Sequence, residues 1–270
     1  MIHRKELAHK KRIVIKIGSS SLTHKGGQLN LLRIEKLARV MSDLHNSGKD
    51  VILVSSGAIA TGAGKMGFDK KPDDKIKKQA LAAIGQAELI KIYDKFFEEY
   101  NKTVAQILLT RDGMENPNRR NNAHNTLNEL IGMGIIPIIN ENDTISTEEI
   151  EFGDNDRLSA IVATLINADL LIILSDIDGV YTADPTQNSS AELISKVLNV
   201  EEDIEKYIFN GGTAFSTGGM SSKIVAARLC VENEVDMVIT NGSDPAIIYD
   251  VLEGKERGTL FVSKKTAANF

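Results

Sequence analysis

Ile13-Val14-Ile15-Lys16-Ile17-Gly18-Ser19-Ser20-Ser21 is an almost unbroken apolar run that stops at a glycine and three hydroxyls. Five residues without polar alternation, closed by turn-forming residues, read as a β-strand covered on both faces. Burial on both faces points to a parallel sheet lying between helices rather than to a sheet with one wet face. Lys16 is the anomaly in this run. It is either an edge residue whose ammonium snorkels to water or a cation at the strand end, facing anionic oxygens.

The same pattern recurs along the chain. Apolar runs at Val51–Val54, Val104–Leu109, Ile135–Ile139, Leu170–Leu174, Val235–Ile239 and Thr259–Val262 read as further strands. Between them, apolar residues fall at helical spacing, as in Leu31, Ile34, Leu37, Val40, Met41 and Leu44, with Gly48 as the stop. Helices are expected around Gln79–Tyr100, Ala123–Met133, Leu158–Ile166, Lys223–Val231 and Ala246–Leu252. Strands alternating with helices define an α/β chain with a mainly parallel central sheet. No repeat or low-complexity linker marks a domain boundary, although a soft lobe division near Asp156–Ser159 fits the pattern. Met66–Asp74, Arg111–Asn122 and Tyr181–Glu192 read as irregular polar stretches, candidates for lids or interface loops.

The chain has 270 residues, 42% of them hydrophobic and 26% charged, and a net charge of −5. That balance gives no global attraction to nucleic acid or to an acidic membrane surface. The basic start, from His3 to Arg12, reads as a solvated lead-in to the first strand. A single cysteine, Cys230, excludes an internal disulfide and fits a reducing, cytoplasmic setting. Its place in a helical apolar pattern makes it a small buried hydrophobe rather than a nucleophile. No apolar run reaches the roughly 18 residues of a membrane span.

In open parallel sheets, ligands bind beyond the carboxyl ends of the strands. The unusual residues of this chain cluster there: Gly18–Ser21, Ser55-Ser56-Gly57, Asn140-Glu141-Asn142-Asp143 and Ser175-Asp176-Ile177-Asp178-Gly179. Thr217-Gly218-Gly219-Met220-Ser221-Ser222-Lys223 opens a helix with the same chemistry. Glycines beside hydroxyls at a helix start expose N–H groups that suit phosphate or carboxylate. Gly153-Asp154-Asn155-Asp156-Arg157-Leu158-Ser159-Ala160 places two acids and an amide before a helix, where burial of apolar surface cannot account for them. Lys223, like Lys16, is a cation placed for anionic oxygens; its bland reading is an exposed first-turn lysine.

Two nucleotide signatures fail. Gly62-Ala63-Gly64-Lys65-Met66-Gly67 matches the dinucleotide glycine pattern but neither directly follows a strand nor leads to one ending in an acid. No P-loop occurs, and five scattered histidines with one cysteine form no protein metal site.

Taken in order, Val14–Ser20, Val54–Ile59, Asn140–Asp143, Phe152–Ala160, Ser175–Pro185 and Gly218–Lys223 resemble the amino acid kinase family. Asn-Glu-Asn-Asp followed by Gly-Asp-Asn-Asp-Arg-Leu-Ser-Ala resembles the branch whose members phosphorylate glutamate. The resemblance implies a three-layer α/β/α sandwich, with an amino-acid-binding lobe over about residues 1–157 and an ATP-binding lobe over about 158–270. It implies transfer of the γ-phosphoryl group of ATP, with Mg²⁺, to the side-chain carboxylate of L-glutamate, at the start of proline biosynthesis. By motif, Lys16, Asp156 and Lys223 are catalytic, and Ser56, Gly57, Asp143 and Asn155 hold the substrate. Lys16, Ser175, Asp176, Thr217, Gly218, Gly219, Met220, Ser221, Ser222 and Lys223 contact ATP. Asp154 receives no role. Proline is implied as feedback inhibitor, and a homo-oligomer as the assembly. The chain ends soon after Gly258–Val262, so the expected form lacks the C-terminal PUA module of many relatives. The rival expectations are a kinase of the same fold acting on N-acetylglutamate or aspartate, and a non-catalytic amino-acid sensor.

Overall fold

A computed structural model describes residues 2–24, 26–68, 72–145, 155–203 and 218–268. Among these, the strands are β1 (Arg12–Ile17), β2 (Asp50–Val54), β3 (Val104–Leu109), β4 (Ile136–Glu141), β5 (Leu170–Ser175), β6 (Lys196–Val197), β7 (Asp236–Asn241) and β8 (Thr259–Phe261). The helices that matter for the site are α1 (Leu31–Asn46), α2 (Ala58–Lys65), α3 (Lys75–Glu98), α4 (Pro117–Gly132), α5 (Asn155–Leu165), α6 (Gly218–Glu232) and α7 (Ile247–Leu252). No described helix is long and apolar enough to cross a membrane.

The chain divides into two compact units, one of residues 17–155 and one that joins residues 1–16 to 156–270. In the first unit the strand order is β3-β4-β2, all parallel, with Leu53 opposite Ile138 and Ala105 opposite Pro137. Helix α1 buries Ile34, Leu37, Val40, Met41 and Leu44 of the expected apolar stripe, together with Ala38, while Leu31 at its first position is exposed. Asn30 caps it by accepting from the Arg33 N–H at 3.1 Å. Helices α2 and α3 pack closely because glycines face each other. A Cβ on Gly85 would lie 1.8 Å from the Ala58 carbonyl oxygen, and one on Gly62 would lie 2.0 Å from that of Leu81. Of the glycine pattern at 62–67, Gly62 serves this helix packing and Gly64 lies against the backbone of Gly27.

In the second unit the order is β1-β5-β7-β8-β6. Strand β7 runs parallel to β5, β8 runs antiparallel to β7, and β6 runs parallel to β8. Every residue of β5 is buried, as its unbroken apolar run requires. Residues 1–16 pack with residues 156–270. The buried Arg4 shows how this early segment is held. Its guanidinium donates to the carbonyl oxygens of Ser195 at 2.7 Å, Arg257 at 2.8 Å and Gly258 at 2.8 Å.

One expectation changes. Residues 111–122 are helical, not irregular: Arg111–Glu115 forms a short helix, and α4 starts at Pro117. Asn116 caps α4 by accepting from the N–H groups of Asn118 and Arg119, both at 3.1 Å. Helix α4 buries only Leu127, so it lacks the apolar stripe that announces a helix.

Candidate functional site

Lys16 and Lys223 meet at Asp156. Lys16 Nζ lies 2.5 Å from Asp156 Oδ1, and Lys223 Nζ lies 2.9 Å from Oδ2. The Ser222 hydroxyl donates to the same Oδ2 at 3.3 Å. Asp156 is fully buried, and both lysines are buried with it. A buried lysine without a partner carries a large desolvation cost, and two ammonium groups together repel. One carboxylate with two oxygens offsets both, so the anomaly of Lys16 in an apolar strand is resolved by an acid far along the chain.

The surrounding elements fix this geometry. Asp156 sits in the first turn of α5, where the helix dipole favours a negative charge. Lys223 lies in α6 and reaches back toward that helix's start, donating to the Gly219 carbonyl at 3.1 Å. Burial pushes the Asp156 carboxyl up, but Lys16 and then Lys223, by charge and by hydrogen bond, outweigh it and hold it below the usual carboxylate range. Asp156 is therefore an anion at neutral pH, suited to orient cations and unsuited to take a proton.

Beside this triad, in the same unit, is a cavity of about 410 Å³. Its wall includes Asp176, Gly179, Tyr181 and Asp184 from the segment after β5, and Gly219, Met220 and Lys223 from α6. Ser175 is buried at the end of β5, its hydroxyl donating to Asp176 Oδ1 at 3.1 Å. Asp178 accepts from Asn241 Nδ2 at 2.9 Å and from the Tyr181 hydroxyl at 3.2 Å. Of the expected ATP residues, Asp176, Gly219, Met220 and Lys223 line this cavity. Gly218 opens α6, followed by Ser221 and Ser222, while Thr217 lies outside the described residues, as does Asp154.

A second cluster belongs to residues 17–155. The Asn155 amide donates to the Ser55 carbonyl at 2.6 Å, to Ser56 Oγ at 2.8 Å and to Asn140 Oδ1 at 2.8 Å. Asn140 in turn donates to Gln86 Oε1 at 2.7 Å and accepts from the Glu141 N–H at 2.9 Å. Gly57 follows in a left-handed conformation, φ 92°, which lets the chain turn from β2 into α2. Ser55 is tied to the Tyr93 hydroxyl at 3.0 Å. Burial raises the Tyr93 phenol far above its ordinary value, so it stays neutral. Asp143 lies half-buried in the turn after β4. The cluster thus unites Asn155, the turn after β2 at Ser55 and Ser56, and Asn140 near the end of β4.

Gln86 and Tyr93 were not singled out from the sequence. They lie seven residues apart on α3, two turns of one face, and in a helical pattern such residues look like ordinary surface and core positions.

An α/β protein with two buried ammonium groups paired on one aspartate in the first turn of a helix, beside a cavity of nucleotide size, has the equipment of an enzyme for polyanionic substrates. The sequence pattern of the amino acid kinase family matches residues 11–241. The chain belongs to this family. It is 52% identical over 266 residues to a glutamate 5-kinase of Clostridium perfringens, covering 97% of this chain and 99% of that one. Similar proteins include a glutamate 5-kinase of Listeria welshimeri, 50% identical over 98% of this chain and 97% of that one. Another, of Enterococcus faecalis, is 49% identical over 96% and 97%. Among solved structures, isopentenyl phosphate kinase from T. acidophilum superposes with a TM-score of 0.63 at 18% identity, over 93% of this chain and 100% of that one. UMP kinase from Ureaplasma parvum gives a TM-score of 0.63 at 20% identity, over 94% and 99%. The chain shares the α/β fold of these kinases.

Proposed function

We propose that this chain transfers the γ-phosphoryl group of ATP to the side-chain carboxylate of L-glutamate, giving L-glutamyl 5-phosphate and ADP at the first step of proline biosynthesis. The observation that carries the reading is the buried Lys16–Asp156–Lys223 triad beside its cavity, in a chain about half identical to glutamate 5-kinases.

The chemistry suits the residues. A glutamate side chain, with a pKa near 4.3, is already ionised at neutral pH. Its oxygen attacks the γ-phosphorus; the bond from phosphorus to the β,γ-bridging oxygen breaks, and ADP leaves with the electron pair. No proton has to be removed, so the site needs no general base. The difficulty is bringing two anions together, and catalysis rests on positioning and charge neutralisation. Lys16 and Lys223 supply that positive charge, and Asp156 holds them apart and in place. ATP occupies the cavity lined by Asp176, Gly219 and Met220, with Ser175, Thr217, Gly218, Ser221 and Ser222 completing its site.

Glutamate is held by Ser56, Gly57 and Asn155, and Asp143 pairs with its α-ammonium group. An N-acetylated substrate would have no charge there for Asp143 to meet. The described residues gather no group of three or more metal-ligating side chains. Mg²⁺, bound together with the phosphates of ATP, would supply further charge neutralisation at the transferring group beside Lys16 and Lys223. The lobe division is part of the same reading: glutamate belongs to about 1–157 and ATP to about 158–270. So are a cytoplasmic homo-oligomer and inhibition by proline, which competes at the Ser56–Asp143–Asn155 site.

Hydroxylamine trapping of an acyl phosphate tests the reading, with ATP and, in turn, glutamate, N-acetylglutamate and aspartate. Hydroxamate formed with glutamate alone is the expected result. Preference for N-acetylglutamate, or glutamate binding without turnover, overturns it.

A further inference from the structure

Thr259, the first residue of β8, has no exposure to solvent. A hydroxyl has one proton to give and lone pairs to receive, and this one is used both ways. It donates to the Ile194 carbonyl at 2.6 Å and accepts from the Val180 N–H at 2.8 Å. Val180 and Ile194 are also paired directly, the Ile194 N–H donating to the Val180 carbonyl at 2.8 Å. One rung further out, the Thr182 N–H donates to the Glu192 carbonyl at 2.9 Å, and the Glu192 N–H donates to Thr182 Oγ1 at 3.0 Å. These bonds close the neck of the segment 180–194.

The near half of that segment, Val180, Tyr181, Ala183, Asp184, Pro185 and Thr186, forms one side of the cavity read above as the ATP site. Gly179 makes the arrangement possible: a Cβ there would lie 2.6 Å from Thr259 Oγ1. Arg4 braces the same neck from outside, since its Nη2 donates to the carbonyls of Ser195 and Gly258, the residues next to Ile194 and Thr259.

We infer that Thr259 is a positioning residue for the nucleotide: its hydroxyl locks the neck of the 180–194 segment and so holds the cavity wall in the shape that receives ATP. The inference rests on the reading of that cavity as the ATP site. Thr259 does not touch the nucleotide; it acts through Val180 and the backbone that follows.

Thr259→Val keeps the shape of the side chain but leaves the Val180 N–H and the Ile194 carbonyl without their partner, whereas Thr259→Ser keeps the hydroxyl. The expected result for Thr259→Val is a KM for ATP raised about tenfold or more, with the KM for glutamate unchanged within about twofold. Titration with a fluorescent ATP analogue should show the same loss, the Val180 amide should exchange faster, and Thr259→Ser should restore all three. Equal ATP affinity in wild type and Thr259→Val, a loss that falls equally on both substrates, or failure of serine to restore ATP binding overturns the inference and leaves the ATP-site reading standing. A wild-type protein that binds no ATP analogue overturns both. If Thr259→Val does not fold, Thr182→Val, which removes the side-chain bond of the outer rung at a half-exposed position, decides: unchanged KM for ATP overturns the inference, and a selective rise supports it.

Discussion

Asn155 and Asp156 are joined by one peptide bond, yet their side chains belong to different networks. Asn155 donates to the Ser55 carbonyl, Ser56 and Asn140, while Asp156 receives Lys16 and Lys223. Successive residues at a helix start point about 100° apart, which lets α5 serve both with its first two positions. In the proposed reaction, the amide steadies the acceptor and the carboxylate steadies the cations that meet the phosphates.

Asp156→Asn preserves shape and removes the charge that reconciles the two lysines. We expect kcat to fall by about 10²–10³-fold and stability to fall by up to about 3–5 kcal/mol, because two buried ammonium groups lose their counter-ion. The pH dependence is specific. Folding lowers the Asp156 pKa, so the carboxylate's contribution is full above about pH 4 and is lost as pH falls through the depressed folded value. Urea melts of wild type and Asp156→Asn should therefore differ by a constant gap from about pH 5 to 8 and converge in stronger acid. A gap that narrows as pH rises would count against the assignment.

Asn155→Ala removes the donor that ties together the Ser55 carbonyl, Ser56 and Asn140. Its effect should fall on glutamate: a KM raised about tenfold or more, with ATP affinity measured by direct titration unchanged within about twofold. Equal losses for both substrates would show that Asn155 merely holds the start of α5.

Gly85→Ala should destabilise the chain even though alanine is the better helix former by about 1 kcal/mol. Its Cβ would lie 1.8 Å from the Ala58 carbonyl oxygen, so α2 and α3 must separate, at an overpacking cost of about 1–3 kcal/mol. Gly132, at the end of α4, has nothing within 4 Å of the added carbon. Gly132→Ala should be neutral or stabilising. Urea melts of the two variants side by side check this, and equal effects would refute the packing argument.

The main strands were legible because each is an apolar run ended by turn residues, and Lys16, Asp156 and Lys223 were legible because charge stands out in such surroundings. Other elements left no such mark. Strand β6 is two residues long. Helix α2 carries Gly62 and Gly64, which lower helix propensity but are demanded by close packing, so the tertiary contact conceals the helix. Helix α4 is polar almost throughout, so its pattern showed only the later part, expected around Ala123–Met133, and its start at Pro117 passed for an irregular stretch. Gln86, Tyr93 and Thr259 act through partners 38 to 79 residues away, a relation that local pattern does not encode.

Gln86 offers a test of how far the acceptor cluster extends. Its Oε1 accepts from Asn140, and Asn140 Oδ1 accepts from Asn155, so the orientation of one buried amide is set by the next. Gln86→Leu leaves the Asn140 donor without this partner, a cost of about 1–3 kcal/mol, and frees the amide to turn. The KM for glutamate should rise several-fold while that for ATP holds. If Gln86 acts through Asn140, the effects of Gln86→Leu and Asn140→Ala on glutamate KM will be strongly non-additive in a double-mutant cycle. Simple additivity would mean that Gln86 influences the site by another route.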